Sequence, residues 1–167
     1  MDYKMFSAFN RLAGRYSLLD MLMILISNKV HYMFIFVLIS MLFGNRSHKK
    51  VAYSSISSAI VTLFISFVIK LFSFKYRPFV KHRVGILLPS KTDSSFPSKH
   101  TLLVFAIATS IFLRERVLGS ILLAISTLTG FSRIWVGHHY PSDIIGSAFI
   151  SSMTGIIMNK TFKNNAS

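Results

Sequence analysis

Three side chains stand where they could move phosphate or protons: His100, in the run Pro97-Ser98-Lys99-His100, and His139 with Asp143 four residues on. Pro141 suits the first turn of a helix, and an acidic residue near such a start is favoured, so Asp143 should lie one turn from the His139 imidazole. A carboxylate that accepts a hydrogen bond from one ring nitrogen fixes the tautomer and leaves the other nitrogen as base or nucleophile. A lone His-x-x-x-Asp is also a common satisfied surface pair. Cations accompany these groups. Lys70 and Arg77 are seven residues apart, which on one helix places them within about 20° of the same face, facing an anion. Arg133 follows Ser132, just upstream of His139. Lys75 and Lys81 read as side chains that snorkel to water.

The elements that must hold these groups are membrane helices. The chain of 167 residues is 52% hydrophobic, with 16 Phe and a mean hydropathy of +0.55. Apolar runs cover residues 18–26, 30–43, 51–72, 101–113, 117–131 and 144–158. Together they predict an all-α, polytopic transmembrane bundle of about five to six membrane helices. Residues 18–43 are either two short spans or one bent element, because Ser27-Asn28-Lys29 interrupts them. The apolar stripe of residues 3–16 predicts an amphipathic N-terminal helix, lying at the interface or packed on the bundle. Residues 73–100, with Pro78, Pro89 and Pro97, form the main extramembrane loop. The whole, 1–167, is expected to be a single membrane-embedded domain with its core over 51–158.

A net charge of +14 suits anionic partners. Nucleic acid is not expected, since the charge sits in short segments between apolar runs and no groove-reading element is visible. Cysteine is absent, which excludes disulfides and thiolate chemistry. No removable signal peptide is expected at the N-terminus. The other histidines, His31, His48, His82 and His138, lack acidic or thiolate companions at ligand spacing, so interface or solvent roles are expected and no metal.

Taken in order, Lys70-x6-Arg77-Pro78, Pro97-Ser98-x-His100 and Ser132-Arg133-x5-His139-x3-Asp143 resemble the three-part signature of the type 2 phosphatidic acid phosphatase superfamily, which includes vanadium haloperoxidases. The resemblance spans residues 51–158, and GFSRIWVGHHYPSD is similar to the bacitracin-resistance type of undecaprenyl diphosphatase. One departure is Lys99, where the family more often has Gly. The resemblance implies that His139 attacks phosphorus and becomes phosphohistidine while Asp143 orients it. His100 would protonate the leaving oxygen and then activate water. Lys70, Arg77 and Arg133 would hold the phosphoryl oxygens, with Ser98 and nearby amides assisting and Lys99 either adding a contact or pointing to water. No metal or other cofactor is implied.

The expected activity is hydrolysis of undecaprenyl diphosphate, a carrier lipid, in a bacterial plasma membrane, with other membrane lipids as surroundings and the site facing outward. The short basic segments at 44–50 and 114–116 and the Lys160/Lys163 tail suit the cytoplasm by the positive-inside rule. Since the other side also carries Lys75, Arg77, Lys81, Arg83, Lys91 and Arg133, outward placement rests on assigning those cations to the substrate rather than to topology. Phosphatidylglycerophosphate or phosphatidate phosphatase would use the same residues. A transporter or lipid-binding protein would explain the apolar runs, yet has no need of His100, His139 and Asp143 in this order.

Overall fold

A computed structural model describes residues 2–82, 84–89 and 92–164, without the side chains of 163 and 164. The described residues form seven helices: α1 (Asp2–Asn10), α2 (Ser17–Leu42), α3 (Arg46–Phe72), α4 (Pro78–Lys81), α5 (Lys99–Phe112), α6 (Arg116–Trp135) and α7 (Pro141–Asn164). No strand occurs among them. Helices α2, α3 and α6 are long and apolar enough to cross a membrane. Helix α5 is apolar but has 14 residues, about 21 Å against a hydrocarbon core of about 30 Å.

Residues 17–42 are one uninterrupted helix, so the Ser27-Asn28-Lys29 triplet does not break the run. Ser27 is buried in the bundle while Asn28 and Lys29 stay outside. Helix α3 starts where the Asn45 side chain accepts from the His48 amide at 2.9 Å, satisfying a donor that the first turn would otherwise leave open. It ends at Phe72. Residue 73 is already extended, and Arg77 before Pro78 sits at φ −68°, ψ 153°, the region a following proline favours.

Helix α5 is central and packs against α3, α6 and α7. One core cluster joins Phe34 and Leu38 of α2, Val51 and Ala59 of α3, Val104, Ile107 and Ile111 of α5, and Leu122 of α6. Lipid is as apolar as these side chains, so close backbone approach and buried hydroxyl contacts must supply much of the association, at about 0.6 kcal/mol per hydrogen bond. The α3–α5–α7 seam is built that way. Ser110 donates to Ser58 at 2.9 Å and Thr109 to Ser152 at 3.1 Å, and a Cβ on Gly155 would meet Ser110 Oγ at 3.2 Å. Large apolar side chains such as Leu18, Phe36, Ile60, Phe64 and Phe149 point outward, as a lipid-facing surface requires.

Helix α1 lies across one end of the bundle. Phe6 is fully buried in a second cluster with Ile134, Tyr140 and Ile144. Asn10 Nδ2 donates to the carbonyls of Gly85 (3.0 Å) and Trp135 (3.3 Å). Of the two settings open to the N-terminal stripe, Phe6 packs on the bundle while Met5 and Leu12 remain exposed.

Candidate active site

The chain turns sharply between α6 and α7, and that turn aims His139. Gly137 adopts φ +88°, where a Cβ would also strike the Gly85 carbonyl at 2.8 Å. The amides of His138 and His139 fold back onto the Arg133 carbonyl at 3.1 and 3.3 Å. Tyr140 then precedes α7, with Pro141 at its first position as expected. Asp143 Oδ2 reaches back to the Tyr140 amide at 3.0 Å, the contact an acidic or amide residue makes at the third position of a capping box. His139 is 2% exposed and Asp143 fully enclosed.

The direct imidazole-to-carboxylate hydrogen bond expected from the spacing is not what forms. His139 Nδ1 and Asp143 Oδ2 are 3.9 Å apart, and the Ser95 hydroxyl lies between them, 2.5 Å from Oδ2 and 3.4 Å from Nδ1. A hydroxyl has one proton. Ser95 gives it to Asp143 Oδ2, so its oxygen is left to accept from Nδ1–H of the ring, which also bonds the Ser95 backbone. That order leaves the Nε2 lone pair free. Burial, then the Arg133 and Arg77 cations, hold the His139 imidazole well below its ordinary value of 6.5, so the ring is neutral and no ion pair with Asp143 forms. The other carboxylate oxygen, Oδ1, accepts from Lys75 Nζ at 2.7 Å. Lys75 also reaches Asp2 at 3.2 Å and is not the free snorkelling side chain its sequence context suggests.

Facing His139 is a cavity of about 200 Å³ lined by Lys70, Arg77, Asp93, Lys99, His100, Arg133 and His139. Each cation comes from a different element end. Lys70 closes α3, Arg77 precedes α4, Lys99 opens α5 and Arg133 closes α6. Lys70 and Arg77 therefore do not share a helical face, because α3 stops between them; they converge from helix and loop. Arg133 is 5% exposed, donates from Nη1 to Ser27 Oγ at 2.7 Å, and keeps an Nε with no protein partner. His100, in the first turn of α5, meets His31 of α2 edge to face at 5.5 Å. This arrangement can hold a multiply charged oxyanion against a neutral, aimed imidazole.

Ser98 sits behind the cavity wall. Its hydroxyl accepts from Thr101 at 3.1 Å and its amide donates to Ser147 at 2.8 Å. Lys99 is exposed. His138 turns away, bonding the Leu88 carbonyl through Nε2 at 2.9 Å. His82 stacks on Tyr3 and His48 lies 3.7 Å from Glu115. Among the described residues no three His, Asp or Glu side chains gather as a metal site.

Sequence reasoning missed Ser95, Lys75, Asp2, Asp93, Ser27 and His31. Ser95 and Asp93 lie in a loop without periodicity, and Asp2 is 140 residues from its partner Ser142 in sequence. The polar interruption of α2 was the available signal for Ser27.

Residues 51–167 match the model of the PAP2 superfamily. The chain is 41% identical over 159 residues to undecaprenyl-diphosphatase BcrC of Bacillus subtilis, covering 94% of this chain and 82% of that protein. Among solved structures it superposes on Aquifex aeolicus LpxE with a TM-score of 0.79 at 30% identity, covering 95% and 94% of the two chains. A transmembrane PAP2-type phosphatidylglycerolphosphate phosphatase from Bacillus subtilis has the same fold, with a TM-score of 0.72 at 17% identity and coverage of 99% and 87%. An apolar helical bundle, three ordered motifs meeting at one cavity and these likenesses agree: the chain belongs to the PAP2 superfamily.

Proposed function

We propose that the chain is an undecaprenyl diphosphate phosphatase that works through a phosphohistidine at His139. The likeness to the Bacillus subtilis undecaprenyl-diphosphatase over nearly the whole chain carries the substrate. The neutral, buried His139 facing four cationic side chains supports the chemistry.

His139 Nε2 attacks the terminal phosphorus, the bond to the bridging oxygen breaks, and His100, protonated beside the bound diphosphate anion, gives its proton to that oxygen as undecaprenyl phosphate departs. His100 then takes a proton from water, whose oxygen attacks phosphorus and breaks the P–N bond, releasing inorganic phosphate and the free imidazole. Ser95 and Asp143 keep Nε2 directed at phosphorus. Lys70, Arg77 and Arg133 carry the charge of the phosphoryl oxygens, with Lys99 at the open edge. Positioning and fixed charge supply most of the acceleration in phosphoryl transfer, and these cations do for this site what a metal does elsewhere. Ser98, with its hydroxyl and amide engaged by protein, supports the start of α5.

Helices α2, α3, α5, α6 and α7 are read as five spans of one membrane-embedded unit, with α1 and the cavity at the outer face of a bacterial plasma membrane. The short basic segments around Arg46 and Arg114 lie at the opposite end, where the positive-inside rule wants them. Phosphate release by purified protein from undecaprenyl diphosphate, phosphatidate and phosphatidylglycerophosphate tests the substrate. The diphosphate should give the highest kcat/KM, and a preference for either glycerophospholipid would overturn the assignment.

A further inference from the structure

The cavity holds one group that no oxyanion site needs: a carboxylate. Asp93 Oδ1 accepts from Arg77 Nη2 at 2.6 Å and Nε at 3.1 Å, and its Oδ2 lies 3.4 Å from Lys70 Nζ. Arg77 is buried at 8% side-chain exposure and Lys70 half-buried at 16%, whereas the Asp93 side chain is 41% exposed. Two carboxylate oxygens thus address the same donors that two phosphoryl oxygens would. Burial alone would raise the Asp93 pKa, but hydrogen bonds and charge from Arg77, then Lys70, outweigh it and hold the group below the usual carboxylate range. Asp93 therefore stays anionic at neutral pH and clears the cations only by moving.

Its surroundings allow that movement. The neighbouring backbone is anchored: the Ser94 carbonyl accepts from Lys70 at 2.9 Å, and the Ser95 amide donates to the Lys75 carbonyl at 2.7 Å. Rotation of the Asp93 side chain toward solvent would uncover Lys70 and Arg77 while leaving Ser95 in its relay to His139.

We propose that Asp93 is an internal competitor for the phosphoryl site, covering Lys70 and Arg77 in the resting protein, swinging off as a phosphate group enters and returning as inorganic phosphate leaves. This rests on the reading of the cavity as a phosphoryl site. A ligand that binds only the uncovered form has its apparent Kd raised by the reciprocal of the uncovered fraction. Asp93 thereby weakens every phosphate ligand by one common factor, lipid substrate and inorganic product alike. Product inhibition is relieved at the expense of a higher KM. A carboxylate that instead served to orient Lys70 and Arg77 would strengthen binding, so the two roles predict opposite signs.

The test is direct binding of inorganic phosphate to the full-length protein and its Asp93→Asn variant in nanodiscs, with KM and inhibition by phosphate measured in parallel. Asn keeps the shape and removes the charge. The phosphate Kd, its inhibition constant and the KM should all fall together by about tenfold or more, the scale of a hydrogen bond between charged groups. Asp93→Glu, which retains the anion, should lie near the parent protein. An unchanged or weaker phosphate affinity in Asp93→Asn would overturn the competitor role, and so would a fall in KM unaccompanied by a fall in the phosphate Kd. Absence of phosphate binding in parent and variant alike would overturn the phosphoryl-site reading along with it.

Discussion

At the scale of single residues, the orientation of His139 is a three-body matter. Ser95 joins a ring and a carboxylate that stand too far apart to bond each other. Ser95→Ala should leave KM nearly unchanged and lower kcat by roughly 10- to 100-fold, the effect of losing a hydrogen bond to a charged group in the transition state. A kcat within twofold of the parent protein would remove Ser95 from the relay. The depressed pKa of His139 has a consequence with a definite sign. Because the neutral ring is the nucleophile, activity is present above the folded pKa and lost as pH falls through it. Since that pKa lies well below 6.5, the acid limb of kcat/KM, corrected for substrate ionisation, should be centred below 6.5, while His100, which must carry the proton it gives, sets the basic limb. An acid limb centred near or above 6.5 contradicts a buried, cation-flanked nucleophile. His139 and Asp143 were legible in the sequence because four residues across a helix start determine their proximity. Ser95 was not, since 44 residues and an aperiodic loop separate it from His139.

Helix α1 connects the scale of elements to the site. Asp2 accepts from the Ser142 amide at 3.1 Å and from Lys75 Nζ at 3.2 Å, so one carboxylate on α1 caps α7 and steadies the lysine that holds Asp143. Asp2→Asn should lower kcat by about threefold to tenfold with little change in KM, less than the loss of a direct hydrogen bond to a charged group because Asp2 acts through Lys75. Equal kcat in the two proteins would make α1 a packing element only. Helix periods in the sequence found the long apolar elements and the end of α3 at Phe72, and that end is what rules out one helical face for Lys70 and Arg77. The chain turns extended at Ser73, on its way to Pro78, and this carries Arg77 off the face of Lys70. The Ser27 interruption misled for a related reason, as a polar residue within an apolar run here marks an inward contact to Arg133 rather than a break.

For the molecule as a whole, the proposed orientation can be read chemically because the chain lacks cysteine. Thr92→Cys, at an exposed position beside the cavity, should react with a membrane-impermeant thiol reagent in intact cells. Ser47→Cys, at the opposite end of the bundle, should react only after lysis; the reverse pattern would put the cavity in the cytoplasm. The fixed cations likewise predict that activity survives excess EDTA. Loss of activity restored by magnesium would contradict their charge-neutralising role.

If phosphorus passes through His139, a covalent intermediate forms there and can be trapped. An aryl phosphate with a labelled phosphoryl group, given to His100→Ala, needs little leaving-group protonation but leaves water without its base, so phosphoenzyme should accumulate. Quenched in alkali, where phosphohistidine survives, the label should map to His139, form more slowly when Ser95→Ala is added, and be absent from His139→Ala. Label on another residue, or label persisting in His139→Ala, would contradict the account.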